Sequence, residues 1–367
     1  MHHPDDVPIT SQIPRAEVRA KIDGARLGSA RIVNPPAIGR RPWASVPRDV
    51  RAEIDAINGS PVVAEQLARP GFSGGIASTV TLASGRRMFL KAASVVEEPF
   101  AADLHRAEAE TAVRLPEAVP APEFLWTYAD DEWIVLAYEV VAGDHPTTPW
   151  GRYALARALA AIDDLSRVPG ARDLQLRPTG PDLASMCSGW AALDAEPDAF
   201  GEGLARIAPW ATGRLHQLAE IEKGVLVASE GEALVHGDLR ADTMLLAHGD
   251  MYLLDWPYAS RGAPWLDLAL FLPTIGMQGI ATELDPVDAA SSPEERKATG
   301  VELARMFAAH PLGGTVHPAD LRAVVAGVAG YLISSALQPA SPGVPGLRDV
   351  QSAQGVAAIA WLEQLGI

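Results

Sequence analysis

Cysteine is almost missing from this 367-residue chain: Cys187 stands alone. That excludes a disulfide within the chain and argues against a zinc site built on cysteines. A reducing, cytoplasmic setting fits such usage, and Cys187 itself reads as a small buried apolar residue. Basic residues are short as well, 30 Lys and Arg against 46 Asp and Glu, for a formal net charge of −16. A surface of that sign repels phosphate backbones and anionic headgroups, so neither nucleic acid nor a membrane is expected as a partner. Long apolar runs are absent. The longest, around 324–337, is interrupted by glycine and serine and falls short of the roughly 20 residues that a bilayer span needs. The opening Met1-His2-His3-Pro4-Asp5-Asp6 is acidic and does not read as a signal peptide.

What is present is the composition of a globular enzyme, 48% hydrophobic and 21% charged, on a chain long enough for a sizeable core. Residues 1–42 are rich in proline and read as an extension, with a short helix at 15–25. Residues 43–142 read as a β-rich lobe. A short helix is expected at 47–57 and strands at 62–67, 79–82 and 88–92, the last two joined by Ser84-Gly85-Arg86. A helix at 101–115 and a hairpin of 123–128 with 133–138 complete it. From 143 to 367 the pattern is mainly helical: 152–166, 181–193, 200–226, a β island within 233–256, then 266–272, 293–309, 318–337 and 347–365. The order gives an α+β fold of two lobes, a small β-rich one with one helix and a larger, mainly helical one.

The segment with most chemical content is Leu234-Val235-His236-Gly237-Asp238-Leu239-Arg240-Ala241-Asp242-Thr243-Met244-Leu245-Leu246, followed by Met251-Tyr252-Leu253-Leu254-Asp255-Trp256. Two short apolar strands joined by Ala247-His248-Gly249-Asp250 form a hairpin. Such a hairpin brings the residues before its first strand close to those after its second. Asp238 and Asp255 then face one cavity. Paired carboxylates beside a phosphate site divide two jobs: one accepts the proton of an attacking hydroxyl, the other holds Mg²⁺ against the phosphates.

These residues resemble the catalytic loop of the aminoglycoside-phosphotransferase family, a branch of the protein-kinase-like superfamily. That branch begins the loop with His-Gly-Asp and commonly follows its metal-binding aspartate with an aromatic residue, as in Asp255-Trp256. The resemblance covers about 43–367. It implies a bilobal kinase-like fold, ATP or GTP as phosphoryl donor, Mg²⁺, and a small hydroxylated molecule as acceptor, such as an aminoglycoside, a nucleoside or another antibiotic. Asp238 is then the catalytic aspartate that orients or deprotonates the acceptor hydroxyl, with His236 and Arg240 in its loop, and Asp267 in Pro264-Trp265-Leu266-Asp267 braces that loop. The gap from Asp255 to Asp267 is too short for the activation segment on which protein kinases dock peptides.

In the first lobe the resemblance assigns the nucleotide grip. Gly71, Ser73, Gly74 and Gly75 form a loop whose backbone can approach phosphates closely. Lys91, on the return strand, reaches the phosphates, oriented by an acid on the following helix. Glu108 and Glu110 both qualify, and the arginine shortly before Glu-Ala favours Glu108. Residues 135–143, with Tyr138 and Val140, correspond to the hinge that binds the nucleobase. One position departs from the pattern: Thr243 stands where the family has a metal-binding asparagine. Either Thr243 ligates through a water, or Asp255 carries the metal largely alone with Asp242 as a neighbouring carboxylate, or turnover is lost. The last case would make the chain a nucleotide-binding pseudokinase or regulator.

Overall fold

The computed structural model describes residues 40–68, 75–169, 171–340, 344 and 346–367. The helix expected at 15–25 and the loop positions Gly71, Ser73 and Gly74 lie outside the described residues.

The first lobe opens with α1 (Arg48–Asn58) and continues through β1 (Val62–Leu67), β2 (Ile76–Leu82), β3 (Arg87–Ser94), α2 (Pro99–Ala112), β4 (Phe124–Ala129) and β5 (Trp133–Tyr138). The strands form one antiparallel sheet in the order β1-β2-β3-β5-β4. Alternation along β2 and β3 divides their side chains between two faces. Ile76, Val80, Met88 and Leu90 pack with Val50 and Ile54 of α1. Ala93 of β3 and Leu136 and Tyr138 of β5 pack with Ala101 and Ala102 of α2. Both helices expected in this stretch, at 47–57 and 101–115, are present as α1 and α2, so the lobe holds two helices and not one. The spacing of Val50 and Ile54, a single turn apart, makes α1 a cover for the sheet.

The second lobe runs α3 (Arg152–Leu165), α4 (Thr179–Met186), α5 (Gly189–Ala195), α6 (Pro197–Ile207), α7 (Leu215–Glu222), α8 (Val225–Ala228), β6 (Ala233–Val235), β7 (Met244–Ala247), β8 (Asp250–Leu253), β9 (Ser260–Gly262), α9 (Leu266–Gln278), α10 (Pro293–Ala309), α11 (Pro318–Ala336) and α12 (Leu347–Gln364). The start of α10 is fixed locally. The Glu295 N–H donates to the Ser292 hydroxyl at 3.2 Å, and the Ser292 N–H donates to the Glu295 carboxylate at 2.8 Å, so two otherwise unpaired groups are satisfied.

Three helical expectations need correction. The stretch 200–226 is not continuous: Pro209 and Gly213, whose φ is +81°, interrupt it, and Gly224 separates α7 from α8. The stretch 181–193 breaks at Cys187-Ser188. There Gly189 meets α11 so closely that a Cβ on it would lie 2.0 Å from the Gly330 carbonyl oxygen. Conversely, α9 does not stop at 272 but runs through Pro273 to Gln278.

Among the described residues one helix, α11, is long and apolar enough to cross a membrane. Its Leu321, Val324, Val325, Ala326, Val328, Ala329 and Ile333 are buried in the core of the second lobe. Its apolarity is that of a core helix.

Candidate active site

Two short strand pairs hold the central loop. β6 pairs with β9, and β7 with β8. The β7–β8 turn consists of His248 and Gly249, with φ of 52° and 91°, the positive values a two-residue hairpin turn requires. His236, Gly237 and Asp238 leave β6, and Asp255 leaves β8. The hairpin is tied to the rest of the molecule at both ends. Leu246 and Asp144 exchange backbone hydrogen bonds of 2.8 and 3.2 Å, and the Leu253 N–H donates to the Pro120 carbonyl at 2.7 Å. Gly143 allows the first approach, since a Cβ there would lie 2.8 Å from the Leu246 oxygen.

The Asp238 turn is braced from below. The two oxygens of Asp267 accept the N–H groups of His236 and Gly237 at 2.7 and 2.8 Å. Burial raises the Asp267 carboxyl to about 6, against those two hydrogen bonds. His236 is fully enclosed. Its Nε2 pairs with the Leu254 carbonyl at 2.8 Å, and its Nδ1 accepts the Asp238 N–H at 3.3 Å. Burial pulls its pKa down to about 4, so the ring is neutral. It links the Asp238 turn to the Asp255 turn. Gly237 has φ +83°, in the left-handed region.

Arg240 grips two acids. Its Nη1 pairs with the Asp238 carboxylate and its Nε donates to Asp242 Oδ1 at 3.1 Å. Burial raises the Asp238 carboxyl to about 6; the Arg240 charge opposes the shift and Asp242 adds to it. Thr243 is buried inside the same turn. Its hydroxyl accepts the Arg240 N–H at 2.8 Å and lies 3.0 Å from the Asp238 carbonyl, to which it donates.

Across the cleft, Lys91 of β3 donates to both Glu108 oxygens, at 2.6 and 2.8 Å, and also pairs with Asp255. Glu110 is exposed on the other side of α2. Burial works against the ammonium, but the Asp255 and Glu108 charges outweigh it and hold the Lys91 pKa above its ordinary value. Asp255, despite burial, is held below the usual carboxylate range by Lys91. Its φ of 63° is left-handed, an unfavourable backbone for a residue with a side chain. Tyr138 lies within β5, where its buried hydroxyl donates to Glu108 Oε1 at 2.9 Å. Its side chain thus supports the lysine's partner. Val140, just past β5, is half-buried at the start of the passage between lobes. Gly75 enters β2, and a Cβ on it would lie 2.8 Å from the Ala92 oxygen.

Two groups escaped the sequence reading. His105 sits one turn before Glu108, buried, with Nδ1 4.0 Å from Glu108 Oε2 and no hydrogen-bond partner, and burial drops it to about 3. The spacing i, i+3 to Glu108 was the signal available. Arg40 precedes α1 in sequence, and its guanidinium feels Asp255 and Asp242. Nothing in its local sequence ties it to loops two hundred residues away.

The donor set suits Mg²⁺ brought by a nucleotide. Asp255 Oδ1 pairs with Lys91, and its side chain is 45% exposed to the cleft. Among the described residues no group of three or more His, Cys, Asp or Glu could cage a metal by itself. Mg²⁺ is commonly held by one or two carboxylates together with substrate phosphates. Asp255 fits that role. The Thr243 hydroxyl is engaged in the loop backbone.

Residues 71–305, which contain all of these acids and Lys91, match the phosphotransferase enzyme family APH. The chain belongs to this family. It is a phosphotransferase with a kinase-like fold. Among solved structures it is similar to a choline/ethanolamine kinase family protein from Mesorhizobium loti, at 15% identity and a TM-score of 0.52, covering 86% of this chain and 98% of that one. It is also similar to a macrolide 2′-phosphotransferase type I, at 16% identity and a TM-score of 0.50, covering 81% and 92%. At those identities the likeness is one of fold. Among curated proteins no sequence matches this one.

Proposed function

We propose that this phosphotransferase moves the γ-phosphoryl group of ATP or GTP to a hydroxyl of a small, antibiotic-like molecule, in the cytoplasm, where such nucleotides are held. One observation carries the reading. Asp238, free of any metal cage and raised to about 6, stands in the same loop system as the Lys91–Glu108–Asp255 ion-pair chain. Lys91 is placed to bind phosphate oxygens, and Glu108 and Tyr138 fix its direction. Mg²⁺, when bound beside Asp255, would neutralise phosphate charge. Asp238 orients the acceptor hydroxyl and takes its proton. The acceptor oxygen bonds to the γ-phosphorus, the bond to the β-phosphate oxygen breaks, and a phosphate monoester and a nucleoside diphosphate leave. Residues 256–265 are all that separates Asp255 from α9, which leaves no platform for a peptide acceptor.

A second reading, a nucleotide-binding regulator with little turnover, draws on Thr243, whose hydroxyl is turned into the loop. The two separate in one assay. The protein is incubated with Mg·ATP or Mg·GTP and a panel of hydroxylated antibiotics, and nucleoside diphosphate release is followed against Asp238→Asn. Release above that control supports transfer. Release at its level across the panel, with nucleotide still bound, supports the regulator.

A further inference from the structure

His105 is a buried polar residue that the phosphoryl-transfer chemistry leaves idle. It lies on α2, one turn before Glu108, and its Nδ1 has no hydrogen-bond partner. An unpaired buried nitrogen costs free energy in the resting protein. Burial and the Lys91 charge keep the ring neutral, so it carries one N–H.

The two oxygens of Glu108 are not equally served. Oε1 accepts from Lys91 at 2.6 Å and from the Tyr138 hydroxyl at 2.9 Å. Among the described residues Oε2 accepts from Lys91 alone, at 2.8 Å. His105 Nδ1 lies 4.0 Å from Oε2, about 1 Å beyond hydrogen-bond length. A small turn of the imidazole spans that gap.

Lys91 cannot serve every partner at once. An ammonium has three N–H donors, and here Glu108 Oε1, Glu108 Oε2 and Asp255 Oδ1 take all of them. Holding an α and a β phosphate oxygen together needs two. Lys91 then keeps one bond to Glu108, whose carboxylate stays buried with two donors in place of three. Stripping a donor from a buried charge is costly. Among the described residues the basic groups within 4.0 Å of Glu108 are Lys91 and His105, so His105 is the one placed to restore the third donor.

We propose that His105 is a positioning residue for the nucleotide: as Lys91 turns its donors to the phosphates, the His105 Nδ1–H takes up Glu108 Oε2. This rests on the nucleotide site of the phosphotransfer reading above and adds a residue to it. The test reads nucleotide binding with no acceptor present. Calorimetry measures the affinity of non-hydrolysable ATP and GTP analogues, with Mg²⁺, for the parent, His105→Phe and His105→Asn. Phenylalanine keeps the ring and has no donor; asparagine sets an amide N–H where Nδ1 stood. Affinity should fall at least about tenfold in His105→Phe and stay within about threefold of the parent in His105→Asn. Without nucleotide, His105→Phe should melt at or above the parent temperature, because an orphaned polar atom is gone; a packing role alone would lower it. In the parent with ¹⁵N-labelled histidine, one Nδ1 resonance, absent from His105→Asn, should move to the position of a hydrogen-bonded N–H on adding the analogue. That measurement decides the matter if His105→Phe misfolds. Parental affinity in His105→Phe, equal losses in both variants, or an Nδ1 resonance that nucleotide leaves in place would overturn the inference. Binding that depends on His105 in this way, with no product from the antibiotic panel, would sink the transfer reading alone. Absence of nucleotide binding would sink both.

Discussion

Thr243 closes the turn on which Asp238 stands: its hydroxyl accepts the Arg240 N–H at 2.8 Å and donates to the Asp238 carbonyl at 3.0 Å. The residue is enclosed, so water cannot replace those bonds. Thr243→Val keeps the shape and removes both, leaving a buried N–H and a buried carbonyl unpaired. It should cost about 1–3 kcal/mol in denaturant unfolding and lower kcat with it. Thr243→Ser keeps the hydroxyl and should stay within about 1 kcal/mol of the parent. Equal loss in both variants would show that the hydroxyl does not hold the turn.

Asp238 must be ionised to accept a proton, and its carboxyl sits at about 6. The logarithm of kcat/KM should therefore rise with unit slope as pH increases below about 6 and level off above it. Asp238→Asn should lower kcat by roughly 10²–10⁴-fold, abolish that limb and leave nucleotide affinity within threefold. A limb that persists in Asp238→Asn would assign the titration elsewhere.

Lys91 balances two acids, and Glu108 is buried behind it. Lys91→Met strands the Glu108 charge. The variant should lose about 3 kcal/mol of stability at neutral pH, together with most nucleotide affinity. Adding Glu108→Gln should restore part of the stability and none of the affinity, as read by thermal melts and nucleotide titration side by side. Additive destabilisation in the double variant would contradict the pairing.

Gly189 and Gly330 let α5 and α11 touch, with only 2.0 Å between a would-be Cβ and a backbone oxygen. Backbone cannot yield as a side-chain tip does. Gly189→Ala should cost about 2–3 kcal/mol or more, visible as a lowered unfolding midpoint. Gly201, where a Cβ meets nothing within 4 Å, should tolerate alanine and serves as the control.

Local chemistry made some of this legible in the sequence and hid the rest. The two apolar runs around His248-Gly249 announce a hairpin, and a hairpin by geometry brings Asp238 and Asp255 together. Proline at 293 and 318, just inside a periodic run, marks α10 and α11. The break at Cys187-Ser188 arises where α5 must meet α11, a long-range demand that no local pattern carries, whereas Pro209, Gly213 and Gly224 mark the later breaks locally. Tyr138 reads as a hinge residue because strand and hinge are contiguous in sequence; only the packing of β5 against α2 turns its hydroxyl onto Glu108. Arg40 lies far along the chain from the loops whose charge it feels, and a residue of common type with no periodic signal gives no warning of where it will point.

The β7–β8 hairpin carries a mechanical consequence. It presents Asp255 to the nucleotide side, and the same few residues are stitched to the inter-lobe passage at Asp144 and to the approach of β4 at Pro120. A wide swing of one lobe about the other would have to tear those backbone bonds, each worth about 1 kcal/mol. The joint and the chemistry are one piece of chain. Warming that loosens the joint disarms the acid in the same event, so inactivation and the first loss of structure should share a single temperature.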